Sequence, residues 1–325
     1  MHKSNKFIII LLALLVISCD KKSKIEKAVE EIPVKMKVIR FEQAFFDAKP
    51  QDLQKLKAEY PEFFPEGTPD DVWIEKMQHP QWRELYTEVE KKYKNFSEKQ
   101  TEIEDLFKHI KYYFPTIKEP KIYTVIGEMD YNNKVIYAND KLLISLELYL
   151  GGKHKFYSDF PGYIAANFEE KQMLPDVVTS FANGILPAPK DKTLLAQMVY
   201  YGKELYLKDI LLNDKFTDAN KIGYTPEQIQ WSKDNEYFIW MNFIENQYLF
   251  STNTKLPGQF ITMAPFSKFY LEIDNESPGR IGQWLGWQIV RSFMENNPKT
   301  SIQDLIKMDA NYIFEKSKYK PKKNE

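Results

Sequence analysis

One cysteine, four histidines and a net charge of −1 in 325 residues set the first limits on what this chain can do. A single thiol excludes an intramolecular disulfide framework and a thiolate zinc site, since both need several cysteines. The histidines are His2, His79, His109 and His154. No two of them have the i, i+4 spacing that places two zinc ligands on one helix face. The sequence also has no P-loop, no G-x-G-x-x-G fingerprint and no G-x-S-x-G nucleophile elbow. With 45 basic against 46 acidic side chains, nothing electrostatic argues for a nucleic-acid partner. The composition, 43% hydrophobic and 28% charged, is that of a folded chain and excludes general disorder.

Long apolar runs are equally scarce, and the one that stands out lies at the amino terminus. Phe7 to Ile17 is unbroken and follows a short basic start of His2, Lys3 and Lys6. As a helix these residues would reach roughly 16 Å, about half of a ~30 Å hydrocarbon core, so they fit a signal-peptide h-region and not a membrane span. Val16-Ile17-Ser18-Cys19 then resembles a bacterial lipobox. That resemblance implies diacylglyceryl transfer to the Cys19 thiol, cleavage between Ser18 and Cys19, and acylation of the new amino terminus, palmitate being the usual kind of chain. Two or three acyl chains hold a protein firmly to a bilayer where one does not. Removal of residues 1–18 takes two lysines, leaving 43 basic against 46 acidic groups. The reading therefore divides the chain into a signal peptide (1–18), a flexible charged tether (19–32), a single globular domain (33–315) and a basic C-terminal tail (316–325).

Within the domain, Val34 to Phe46 reads as a first strand or extended arm. Helical patterns follow over Pro50 to Tyr60 and over Thr101 to Tyr113. Three β-type runs come next: Lys121 to Ile126, Lys134 to Tyr137 and Leu142 to Leu146. The turn-rich stretch Gly127 to Asn133 predicts a hairpin between the first two. Beyond Gly151-Gly152 the pattern is helical, over Ile164–Asn183, Lys192–Leu211, Pro226–Phe250, Arg280–Asn296 and Ser301–Lys307. The fold class is α+β and mostly helical, a small β-sheet followed by a helical C-terminal region.

A small sheet followed by two helices is the order of elements in zincin peptidases, which need H-E-x-x-H on the first helix. Here that helix has no His, so a zinc hydrolase is disfavoured. Acid pairs such as Glu169 with Glu170, or Asp159 with Glu147, read as solvated faces among 46 acids. Gly282 and Gly286 have the spacing that lets helices approach closely. The aromatics Tyr200, Tyr201, Trp284 and Trp287 are candidates for a partner or cleft surface if exposed, and for the core if not.

A wider set of motifs carries a resemblance. Arg40-Phe41-Glu42, Tyr60-Pro-Glu-Phe-Phe64, Leu148-Tyr-Leu-Gly151, Tyr201-Gly-Lys-Glu-Leu-Tyr206, Asn235-Glu-Tyr-Phe-Ile-Trp240, Ala264-Pro-Phe266 and the run Ser277 to Val290 (SPGRIGQWLGWQIV) resemble the gliding motility lipoprotein GldB family over essentially the whole chain. The resemblance implies a cell-envelope lipoprotein required for gliding motility, held in the membrane by lipid on Cys19. It places the protein at the periplasmic face of the outer membrane, with partners among the gliding and associated secretion machinery. The family is distantly similar to predicted zinc peptidases whose second helix carries a Glu-Gly pair. Here the residue before Gly202 is Tyr201, so all three metal ligands are missing. The arrangement implied is a degenerate zincin-like fold without catalytic residues, metal or cofactor. Two alternatives stand beside this pseudo-enzyme reading: a zincin-like hydrolase with unusual ligands, and a glycan- or peptide-binding lipoprotein using Tyr200, Tyr201 and Trp284.

Overall fold

Four short strands make one mixed sheet in a computed structural model that describes residues 24–323. They are β1 (Val38–Arg40), β2 (Lys121–Val125), β3 (Val135–Ala138) and β4 (Lys141–Ser145), in the spatial order β1-β2-β4-β3. β1 and β4 flank β2 in parallel, and β3 closes the far edge antiparallel to β4. The hairpin is thus not the one expected across Gly127–Asn133. It joins β3 to β4 through Asn139 and Asp140, with Ala138 opposite Lys141 and Asn139 at φ +55°. Asn is one of the few non-glycine residues that tolerates this left-handed conformation, which a two-residue hairpin turn demands. β2 could not pair with β3 and stay at the edge, because Ile122, Tyr123 and Thr124 are buried in succession and need both faces covered.

The rest is mostly helix, and three helices organise it. Met173–Ile185 lies against β3, where the Ser180 hydroxyl accepts from the Tyr137 amide at 2.8 Å. Leu194–Leu211 starts at Thr193, whose hydroxyl caps the Ala196 amide, and it is buried around most of its circumference. Such a helix belongs to the interior. It serves two apolar clusters: Leu207 and Leu211 join the one around the sheet, while Leu194, Leu195, Met198 and Val199 join a second. Ile281–Asn296 crosses it inside that second cluster, with Ala310–Ser317 packed on both.

Several expected boundaries move. The single helix expected over Pro226–Phe250 is two helices, Pro226–Asp234 and Glu236–Glu245. Asn235 separates them at φ −101° and ψ 6°, its side-chain amide turned back to the Trp231 carbonyl at 2.9 Å. Asp70–Gln78 and Pro80–Tyr93 are helices that the periodicity did not disclose. The charged segment expected as a tether contains a helix, Lys24–Glu30, docked on Ser97–Tyr113 by Val29, which is 1% exposed, and by Glu26 beside His109 at 3.3 Å. The basic tail is tied down as well: Ser317 is buried, and the Tyr319 hydroxyl donates to Glu236 while its ring packs edge-on to Trp240.

Candidate functional site

Met173–Ile185 packs against Leu194–Leu211, the two helices on which the sequence resemblance sought metal ligands. The residues that bond across this contact are Thr179, Asn183, Tyr200 and Glu204. The Thr179 hydroxyl donates to Glu204 Oε1 at 2.7 Å, and the Tyr200 hydroxyl to Asn183 Oδ1 at 3.4 Å. Glu204 also pairs with Lys208 at 3.3 Å, both side chains being less than a tenth exposed. One carboxylate, already engaged on two sides, with no imidazole beside it, does not make a zinc site. Among the described residues no group of three or more His, Cys, Asp or Glu side chains could hold a metal ion.

The three histidines within the described residues are spread over separate elements. His79 caps Pro80–Tyr93 by accepting from the Gln81 amide, His109 bonds the Asp105 carbonyl and Glu26, and His154 stacks on Phe156 beside Glu88. Cys19 and Ser18 lie outside the described residues.

The polar groups of the central helix hold neighbours in place. Lys203 donates to the carbonyls of Ile306 and Met308 at 3.1 and 2.7 Å, and burial pushes its pKa down to about 8. Asp209 takes a two-point contact from Arg291 at 2.8 and 2.7 Å, the Trp287 indole N–H at 2.8 Å and Lys221 at 2.9 Å. Arg291 reaches Asp218 too, and its guanidinium lies 3.7 Å over the Trp287 ring. Burial alone would lower the Arg291 pKa, but the two carboxylates hold it above the ordinary arginine range.

The aromatic candidates divide accordingly. Trp284 and Trp287 are 2% and 0% exposed, so neither offers a surface to a partner. The close approach of their helix to Leu194–Leu211, which the glycine spacing anticipated, turns both rings into the core. Tyr200 and Tyr201 are half-buried and meet edge to face, with centroids 5.3 Å apart. Glu147, read as part of a solvated face, is fully buried. Its Oε1 accepts from the Gly127 amide at 2.9 Å while Oε2 has no hydrogen-bond partner among the described residues, and burial pushes its pKa up to about 7.

Two concavities open elsewhere. An apolar groove of about 400 Å³ runs between Glu236–Glu245 and the 269–277 loop, where Phe238, Leu271 and Ile273 are each at least half exposed. A more polar cleft of about 610 Å³ ends at Arg280, the residue that precedes Ile281–Asn296. Sequence reasoning named Glu169, Ala264, Pro265 and Arg280 without joining them into a cleft, because its walls come from stretches far apart in the chain.

The model of the gliding motility protein GldB family matches residues 22–321. The chain belongs to this family. No curated protein and no solved structure matches it. Membership of GldB, a lipoprotein family, makes this a gliding motility protein of the cell envelope. Among the described residues no helix is long and apolar enough to cross a membrane.

The run from Ser277 to Val290 that carried the GldB resemblance has a physical account in the fold. Ser267 ties down the start of this run, its amide donating to the Ser277 hydroxyl at 3.1 Å and its hydroxyl to the Pro278 carbonyl at 2.7 Å. A Cβ on Gly279 would overlap the Ala264 carbonyl, so only glycine fits. Arg280 then adopts φ +62°, which turns the chain into the helix.

Proposed function

We propose that this chain is a lipid-anchored, non-enzymatic component of the gliding apparatus that works by binding another protein of the cell envelope. The family supplies the process, and the Val16-Ile17-Ser18-Cys19 motif supplies the anchor, with acyl chains on Cys19 after removal of residues 1–18. The observation that carries the binding role is the apolar groove with Phe238, Leu271 and Ile273 at its surface. Exposed apolar side chains gathered in one depression are what protein partners bury. The engaged polar groups at the helix crossing support the non-enzymatic part, since Thr179, Glu204 and Lys208 satisfy one another and leave no base beside a nucleophile. We place the anchor in the periplasmic face of the outer membrane, with partners in the gliding and associated secretion machinery.

Crosslinking and pull-down of the full-length lipoprotein from gliding cells test this reading. Phe238→Ser with Ile273→Ser should lose the crosslinked envelope protein and cell spreading at unchanged protein level. Cys19→Ser should lose incorporation of a palmitate analogue. Normal motility after deletion of the gene would remove the proposal.

A further inference from the structure

Arg280 is a cation in this cleft that no carboxylate among the described residues pairs with directly, although Glu204 and Asp176 lie near enough to act on it through charge. Its guanidinium lies over the Tyr224 ring, 5.5 Å from the centroid, and its Nη2 donates to the Gly223 carbonyl at 3.3 Å. No Asp or Glu among the described residues forms an ion pair with it, in contrast to Arg291, which has two. A guanidinium carries five N–H donors, so most of its capacity is unused.

Gln172 adds an independent observation. It is 7% exposed and lines the same cleft, yet its side-chain amide has no hydrogen-bond partner among the described residues. Asn167, also in the wall, packs against Gly223, where a Cβ would come 2.6 Å from its Oδ1, and its amide is likewise unbonded. Donors that open onto the cleft without a protein partner are free for a ligand that brings an acceptor.

The chemistry of that ligand follows from the lining. Its charged members are Arg280, Lys171 at the exposed rim and Glu169, which is occupied by the Gly152 amide at 2.8 Å. The balance is one positive charge with neutral donors around it, which suits a monoanion better than a phosphate dianion. A guanidinium also matches a carboxylate in a two-point contact. Met263, Ala264 and Pro265 form an apolar wall for whatever the anion is attached to.

We propose that this cleft binds a carboxylate, carried by a peptide C-terminus or a small organic acid, with Arg280 as its charge partner and Gln172 as a neutral donor. The proposal goes beyond the partner-binding role and does not depend on it.

Saturation-transfer NMR on the purified soluble chain tests it, with acetate, N-acetyl-trialanine, the C-terminal amide of that peptide and inorganic phosphate as probes. The two carboxylates should bind and the amide should not. Arg280→Gln should weaken carboxylate binding by about tenfold or more, the loss of one charge-assisted contact. Gln228→Glu guards against misfolding in that variant. Gln228 Oε1 accepts from the Thr225 amide at 3.0 Å in a capping box, where Glu serves equally, so the fold is kept while a negative charge enters the lining. It should also weaken carboxylate binding severalfold. Tighter binding of the peptide than of acetate assigns the cleft to chain termini, and equal binding assigns it to small acids; both support the proposal. Four results would overturn it: equal binding of the amide, unchanged affinity in both variants, phosphate bound more tightly than acetate, or no carboxylate bound at all.

Discussion

Gly202 and Gly286 face each other where Leu194–Leu211 crosses Ile281–Asn296, backbone against backbone. A Cβ on Gly202 would overlap the Gly286 carbonyl, and one on Gly286 would overlap the carbonyl of Met198. Neither helix can move aside, because Trp287 and Arg291 on one are fastened to Asp209 on the other.

Gly286→Ala is therefore expected to lower stability by about 3 kcal/mol, the upper end of the usual cost of overpacking. The fall in denaturant midpoint measures it. Gly258→Ala, in a helix position with open space around it, is the control and should hold or slightly raise the midpoint. Equal effects at the two sites would mean that the crossing is looser than described.

Glu147 makes stability depend on pH. Its carboxyl is pushed up to about 7 from the ordinary 4.5, so between those values the folded chain holds a proton that the unfolded chain releases. The group's contribution is fully present below pH 4.5 and is lost as pH rises through about 7. Glu147→Gln has no proton to lose. Relative to the parent chain it should gain up to about 3 kcal/mol between pH 5 and pH 8, the free-energy equivalent of a shift of this size. Thermal melts across that range check the sign, and a constant difference between the two proteins would exclude the titration.

Val29→Ala removes the apolar contact that docks the first helix. Because Val29 is 1% exposed, a loss of about 1 to 2 kcal/mol is expected, together with faster amide exchange over residues 24–30. An unstructured tether would show neither change.

Legibility in the sequence followed the range of the interactions. Ile103, Leu106, Phe107 and Ile110 recur at helical spacing and mark their helix within a few residues of its observed start at Ser97. The three β-type runs are strands at nearly the expected positions. Strand pairing was misread, because the turn residues of Gly127–Asn133 are local whereas the burial that puts β2 inside the sheet is not. Pro226 to Phe250 contains no proline or glycine after its first residue, and the side-chain bond of Asn235 where it splits leaves no periodic trace. Tyr200 lies at the contact of the two helices and Tyr201 against the second cluster, while Trp284 and Trp287 went to the core because Gly282 and Gly286 brought their helix inward. The Arg280 cleft was invisible for a simpler reason: Gln172, Gly223 and Arg280 meet only after folding.

The docked helix at Lys24 also fixes a reach. Cys19 stands five residues before it, and a fully extended chain covers at most about 3.5 Å per residue. An acylated Cys19 would thus hold the start of the folded body within about 17 Å of the lipid surface, where a free tether to Pro33 would have allowed about 49 Å. On the proposed anchoring, the folded body would stand against its membrane, and a partner would meet it there.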